Sequence, residues 1–160
     1  MHRAVFREKL KHPSKSARGL PVVIINLAQS LMECGHFPEA RELLHNQIPI
    51  LRQFAEKYPE FKSLMGPDSE YMLGMRLTYA RTLFEPVTQG LAPTISDLQE
   101  ARDILEDVVR RTRRVFGTGH PDYPSREKRL QMVEVFLAAN LKIAAGDPEG
   151  GIAMAREAFG

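Results

Sequence analysis

Six polar side chains recur at matched helical steps in two stretches of the chain. Counted from Ala28 and Ala80, the outward neighbours are Asn26, Gln29 and Glu33 in one stretch and Thr78, Arg81 and Glu85 in the other. Residues three and four apart share a helix face, so one surface would present amide, guanidinium and carboxylate groups together. That set suits an extended peptide, whose backbone needs hydrogen-bond partners and whose charges need pairing. Solvated side chains, or contacts between neighbouring helices, are the plainer reading of the same residues. Lys142 is an isolated further candidate.

A second cluster, "RRTRR", sets Arg110, Arg111, Arg113 and Arg114 near the end of a helix. Cations there complement the helix dipole, and a solvated face is the ordinary outcome. The alternative is a contact with an acidic partner. RNA or DNA would call for a broader basic surface with aromatic side chains for stacking, whereas the chain has no Trp and a net charge of only +2. Nucleic acid is therefore not the expected partner.

Other constellations carry less chemistry. Gly117-Thr118-Gly119 follows a helix and lacks the Gly-Lys-Ser/Thr of a phosphate loop, which follows a strand. Cys34, His36 and His45 have no fourth ligand in view, so no metal is expected. The single cysteine, Cys34, reads instead as a buried thiol beside an inter-helix turn. No short motif assembles a nucleophile, a base and an orienting acid. Neither a catalytic residue nor a cofactor is expected.

The elements that must position these residues are helices. From Pro21, the residues Ile24, Leu27, Ala28 and Leu31 recur at helical spacing until Gly35. A second helix starts near Pro38 and runs toward Tyr58, with Pro49 inside it, which predicts a kink over Leu44 to Pro49 or two separate helices. "YPEFKSLMGPDSE" reads as a connection. A third helix spans about Ser69 to Glu85, with Met72 and Met75 as core residues, and Pro86 ends it. The loop "PVTQGLAPTIS" is long for a helical hairpin. Ser96 with Gln99 then offers a capping box for a helix that stops at Gly117. A fifth runs from Pro124 or Ser125 to Ala145, "GDPEGG" breaks it, and "IAMAREAF" is a short terminal helix. No segment alternates with period two, so the fold class is all-α.

Charge is unevenly spread. Residues 1–20 hold six Lys or Arg against the single acid Glu8 and form a basic N-terminal arm, while the remainder is net acidic. Val5, Phe6 and Leu10 could line one side of a short helix in the arm, whose composition also fits an organellar import signal. The longest apolar run, "LPVVII", is far short of the roughly 20 residues a membrane-spanning helix needs, so a soluble, intracellular protein is expected.

The helices come in pairs, at about 21–61, 69–117 and 124–160, and the pairs resemble one another. "NLAQSLMECGHFPEARELL" aligns with "TYARTLFEP" and, beyond the long loop, "DLQEARDIL": Ala28 falls on Ala80, Leu31 on Leu83, Glu33 on Glu85 and Ala40 on Ala101. Small residues at helix crossings allow close approach while Leu and Phe fill the adjacent grooves. The pattern resembles the tetratricopeptide repeat (TPR), in its long, kinesin-light-chain-like form. "DLQEARDILEDVVRRTRRVFGTGHPD" carries this most fully: a helix with Glu-Ala near its start, a stop at Gly117, then His120-Pro121-Asp122. The chain departs from the pattern in a longer first repeat, in "GPDSE" without His-Pro, in the inserted loop, and in Gly150-Gly151 where Glu-Ala would stand.

This resemblance implies antiparallel helix pairs stacked as a short right-handed superhelix over residues 21–160. It also implies a concave face, lined by the first helix of each pair, that holds peptide segments. The expected function is a non-enzymatic module binding a peptide or protein surface. The alternative is a structural or scaffolding subunit of a large assembly, attached through its basic arm and the 86–96 loop. Fold alone excludes no chemistry, so an enzyme stays a third class. The terminal "AMAREAFG" does not read as a finished cap and predicts a further contact or a longer chain.

Overall fold

A computed structural model describes residues 19–86 and 93–159. Residues 1–18 of the basic arm, with Val5, Phe6 and Leu10, and most of the long loop at 86–96, lie outside these residues. Every regular element among the described residues is a helix, as the absence of period-two alternation predicts. The chain divides into two compact units, Met1–Tyr79 and Ala80–Gly160.

In the first unit, α1 (Leu20–Glu33) packs against α2 (Phe37–Lys57). Pro21 sits in the first turn of α1, where no backbone donor is needed. Gly35, with φ +79°, turns the chain back, because a left-handed backbone costs glycine nothing. One helix, not two, runs through Pro49. Ile24, Ala28, Ala40, Leu44 and Leu51 are fully buried, as the periodicity of α1 and α2 demands.

The connection after α2 is more ordered than its composition suggests. Pro59–Phe61 forms a 3-10 turn and Lys62–Met65 a single helical turn, α3; Phe61 of the first and Met65 of the second are buried in the core of the unit. Burial of these two apolar side chains is what folds the segment. Helix α4 (Glu70–Phe84) follows; its Met72 and Met75 join the same core, as expected. The boundary between the two units falls inside α4, at Tyr79 and Ala80.

The second unit holds the end of α4 together with α5 (Ile95–Phe116), α6 (Tyr123–Ala144) and α7 (Pro148–Phe159). Helix α6 packs against both α5 and α7. The expected capping box at Ser96 and Gln99 is corrected: Thr94 is the N-cap, its hydroxyl accepting from the Asp97 backbone N–H at 3.0 Å while Asp97 reaches back to the Thr94 N–H. Helix α5 ends where the sequence places its stop, at Gly117 with φ +79°.

The glycine-rich "GDPEGG" breaks the chain only at Gly146; Gly150 and Gly151 lie inside α7. Close packing explains the second of them. A Cβ on Gly151 would stand 2.6 Å from both the Ala139 carbonyl oxygen and Ile143 Cγ1 of α6. Among the described residues, no helix is long and apolar enough to cross a membrane.

Candidate functional site

The last turn of α4 and the outer face of α6 enclose a pocket of about 320 Å³ in the second unit. It is lined by Phe84 and Glu85 from one side and by Ser125, Lys128, Arg129, Met132 and Phe136 from the other. The α6 members stand three and four residues apart, so one helix face supplies them all. Phe84 is almost fully buried and is the fixed part of the lining. The volume is at the lower end of the roughly 300–1,000 Å³ typical of ligand pockets, a scale that fits side chains of a bound segment.

Of the six sequence-predicted site residues, Glu85 lines this pocket and Arg81 is its ion-pair partner. Arg81 donates to Glu85 through Nε to Oε1 at 2.6 Å and Nη2 to Oε2 at 3.2 Å. Both side chains are about three-quarters buried, which makes the pair a better-ordered one than a fully solvated ion pair. Arg129, facing them from α6, has its pKa lowered by burial first and by the charge of Arg81 second. Glu85 and Asp122 push it back up. The pocket therefore combines an apolar lining with a cationic mouth in which one carboxylate is already matched.

Thr78 is corrected. It is only 3% exposed, and its hydroxyl donates to the Gly74 carbonyl at 2.8 Å, so it offers nothing to an open surface. Helix α4 is buried on most sides, through Met72, Leu73, Met75, Thr78, Ala80, Thr82 and Leu83, and lacks the broad polar face that the matched spacing assumed. In the first unit, Asn26 and Glu33 are exposed on α1 and Gln29 is half-buried; Lys142 is exposed in the second, 3.7 Å from Asp147.

The arginine cluster is tied up within the chain. Arg110 and Arg111 both pair with Asp107, the latter through Nε at 2.8 Å. Arg113 donates to the Tyr123 hydroxyl through Nη2 at 2.7 Å and lies over its ring, and Arg114 is likewise engaged. This favours the helix-end reading of the cluster over a partner contact. Cys34 is exposed, which corrects the expectation of a buried thiol.

Sequence reasoning missed the deepest charge in the unit. Arg126 is 2% exposed, and its Nη1 donates to Thr112 Oγ1 at 2.9 Å, while Thr112 donates to the Val108 carbonyl at 2.7 Å. This chain of bonds ties α6 to α5. The signal was available: Arg126 lies on the same helical stripe as Val133 and Leu137, both buried. Arg129 and the rest of the pocket lining form the adjacent stripe.

Two hairpins of the chain share one turn, atom for atom in its hydrogen bonding. At the first, Gly35 N–H donates to the Met32 carbonyl at 2.9 Å and His36 N–H to the Leu31 carbonyl at 2.8 Å. At the second, Gly146 N–H donates to Ile143 at 3.1 Å and Asp147 N–H to Lys142 at 3.0 Å. Both are helix stops of the Schellman type. Ala28 and Ala139 precede them at the same interval, and Ala40 and Gly151 follow at the same interval, all four buried. A third device joins α5 to α6: after Gly117, His120 Nδ1 accepts from the Asp122 N–H at 3.1 Å and packs its ring on Phe116, with centroids 5.2 Å apart.

Residues 96–122 match the tetratricopeptide repeat family. The match covers α5 and the whole Gly117-to-Asp122 turn. Comparison with curated proteins and with solved structures gave no significant match. Tetratricopeptide repeats are typically non-catalytic protein-interaction modules, and stacking of their small residues is what brings paired helices close. The repeated turn accounts for the departure at Gly151: glycine there performs the close-approach role that Ala40 performs in the first hairpin.

Proposed function

We propose that this chain is a non-enzymatic interaction module that holds an extended segment of a partner protein, and that its repeats are of the long, kinesin-light-chain-like kind. The match over residues 96–122 supports the repeat, and the subtype reading rests on the Gly117 stop followed by His120-Pro121-Asp122. The observation that carries the binding reading is the pocket between the end of α4 and α6, where a mainly apolar lining meets the Arg81–Glu85 pair and the Arg129 guanidinium. Apolar anchoring with a few placed polar groups is how grooves hold extended peptides. Asn26, Gln29 and Glu33 form a separate polar face on α1, available for backbone hydrogen bonds.

The test is a peptide-display selection against the full chain, with a Met132→Glu variant as counter-screen. Enrichment of sequences that bind the wild-type chain and not the variant is the expected outcome. Sequences that bind both equally would remove the pocket from the proposal. A scaffolding role through the basic arm is the second reading, and deletion of residues 1–20 separates it: peptide capture should survive that deletion.

A further inference from the structure

The charges around the pocket narrow what its occupant must carry, an inference that rests on the groove reading above. Glu85 is held by Arg81 and its charge also acts on Arg129. Asp122 lies 3.8 Å from the buried Arg126, and the Ser125 hydroxyl is spent on the Asp122 carbonyl at 3.0 Å. Lys128 and Arg129 are neighbours on the same helix, and both line the pocket. Arg81, Lys128 and Arg129 thus outnumber the Glu85 carboxylate by two positive charges around this apolar cavity.

A carboxylate would answer one of these charges. A phosphoryl group brings about two negative charges near neutral pH and three acceptor oxygens, so it can meet the guanidinium and the ammonium together. The partial burial of Arg129 strengthens such a contact, because charge-assisted hydrogen bonds gain where water is displaced. We propose that the pocket binds a partner segment in which a bulky apolar side chain seats against Phe84, Met132 and Phe136 and a phosphorylated serine or threonine, within two residues of it, is held by Lys128 and Arg129.

The experiment uses the full-length chain and three fluorescein-labelled peptide pools with degenerate flanks. Each pool fixes a phenylalanine and, two residues on, phosphoserine, serine or an Asp-Asp pair. The phosphoserine pool should bind about tenfold more tightly than either other pool. That advantage should vanish in a Lys128→Gln/Arg129→Gln variant whose helical circular dichroism is unchanged, while the serine pool binds the variant as it binds the wild type. Equal binding of the phosphoserine and serine pools would overturn the phosphate assignment and leave the groove standing. Equal binding of the phosphoserine and Asp-Asp pools would overturn it in favour of plain acidic segments. An advantage that survives the double variant would overturn the placement. No binding of any pool would overturn the groove reading and this inference with it.

Discussion

Arg81 grips Glu85 through two nearly parallel contacts, at 2.6 and 3.2 Å, one helical turn apart at the end of α4. The pair fixes the orientation of Glu85, the one carboxylate among the described residues of the pocket lining. Removing either partner changes the charge of the pocket mouth in opposite senses. Arg81→Ala should weaken binding of anionic display-selected peptides several-fold, and Glu85→Gln should strengthen it. Neither should lower folding stability by more than about 1 kcal/mol, the scale of a partly exposed i,i+4 pair. Fluorescence anisotropy and urea unfolding check the two halves of this expectation, and parallel changes in affinity would sink it.

The start of α5 provides a direct test of the cap. Thr94→Ala removes a side chain that satisfies the Asp97 N–H and should cost about 1 kcal/mol of stability. Ser96→Ala, at the position that sequence pattern favours for the cap, should fall within about 0.5 kcal/mol of the parent, as ordinary surface substitutions do. Thermal unfolding of the two variants side by side decides between the positions.

Two glycines in helices should respond oppositely to alanine. Gly151→Ala forces a methyl group to within 2.6 Å of the Ala139 carbonyl and should destabilise the α6–α7 hairpin by about 1–3 kcal/mol. At Gly74 the nearest atom to an added Cβ is Ile25 Cδ1 at 3.7 Å, an ordinary contact. Gly74→Ala should therefore stabilise α4 by about 0.5–1 kcal/mol through helix propensity alone. Chemical denaturation of both variants measures the sign.

The Arg126–Thr112 bond makes a further prediction. Thr112→Val preserves shape but takes an acceptor from a buried guanidinium, so it should cost about 1–3 kcal/mol. A loss below about 0.5 kcal/mol in urea titration would show that Thr112 is not the partner that secures α6.

How legible was this in the sequence? The helices were, because Ile24, Ala28, Ala40 and Leu44 keep a 3.6-residue period and Gly35 and Gly117 stop it. The short helical turn at 62–65 was not, since its order comes from burying Phe61 and Met65 against residues distant in sequence. Arg81 and Glu85 stood out in the sequence because both are charged on a matched repeat. Thr78 was misplaced because a hydroxyl that bonds to its own helix, at Gly74, looks the same in sequence as one that faces water. Arg126 and Arg129 were passed over because a charged residue on an apolar stripe reads as surface until a partner such as Thr112, or a cavity such as the one beside Phe84, is seen in three dimensions.

The measurement that bears most directly on the binding reading is a methyl-methionine NMR titration of the intact chain with a display-selected peptide. Met132 lines the pocket, whereas Met65, Met72 and Met75 are buried in the core of the first unit. Saturable shifts of the Met132 methyl resonance, with those of Met65, Met72 and Met75 unmoved, are the expected result. Peptide binding that leaves Met132 unchanged would contradict the assignment of this pocket as the partner's site.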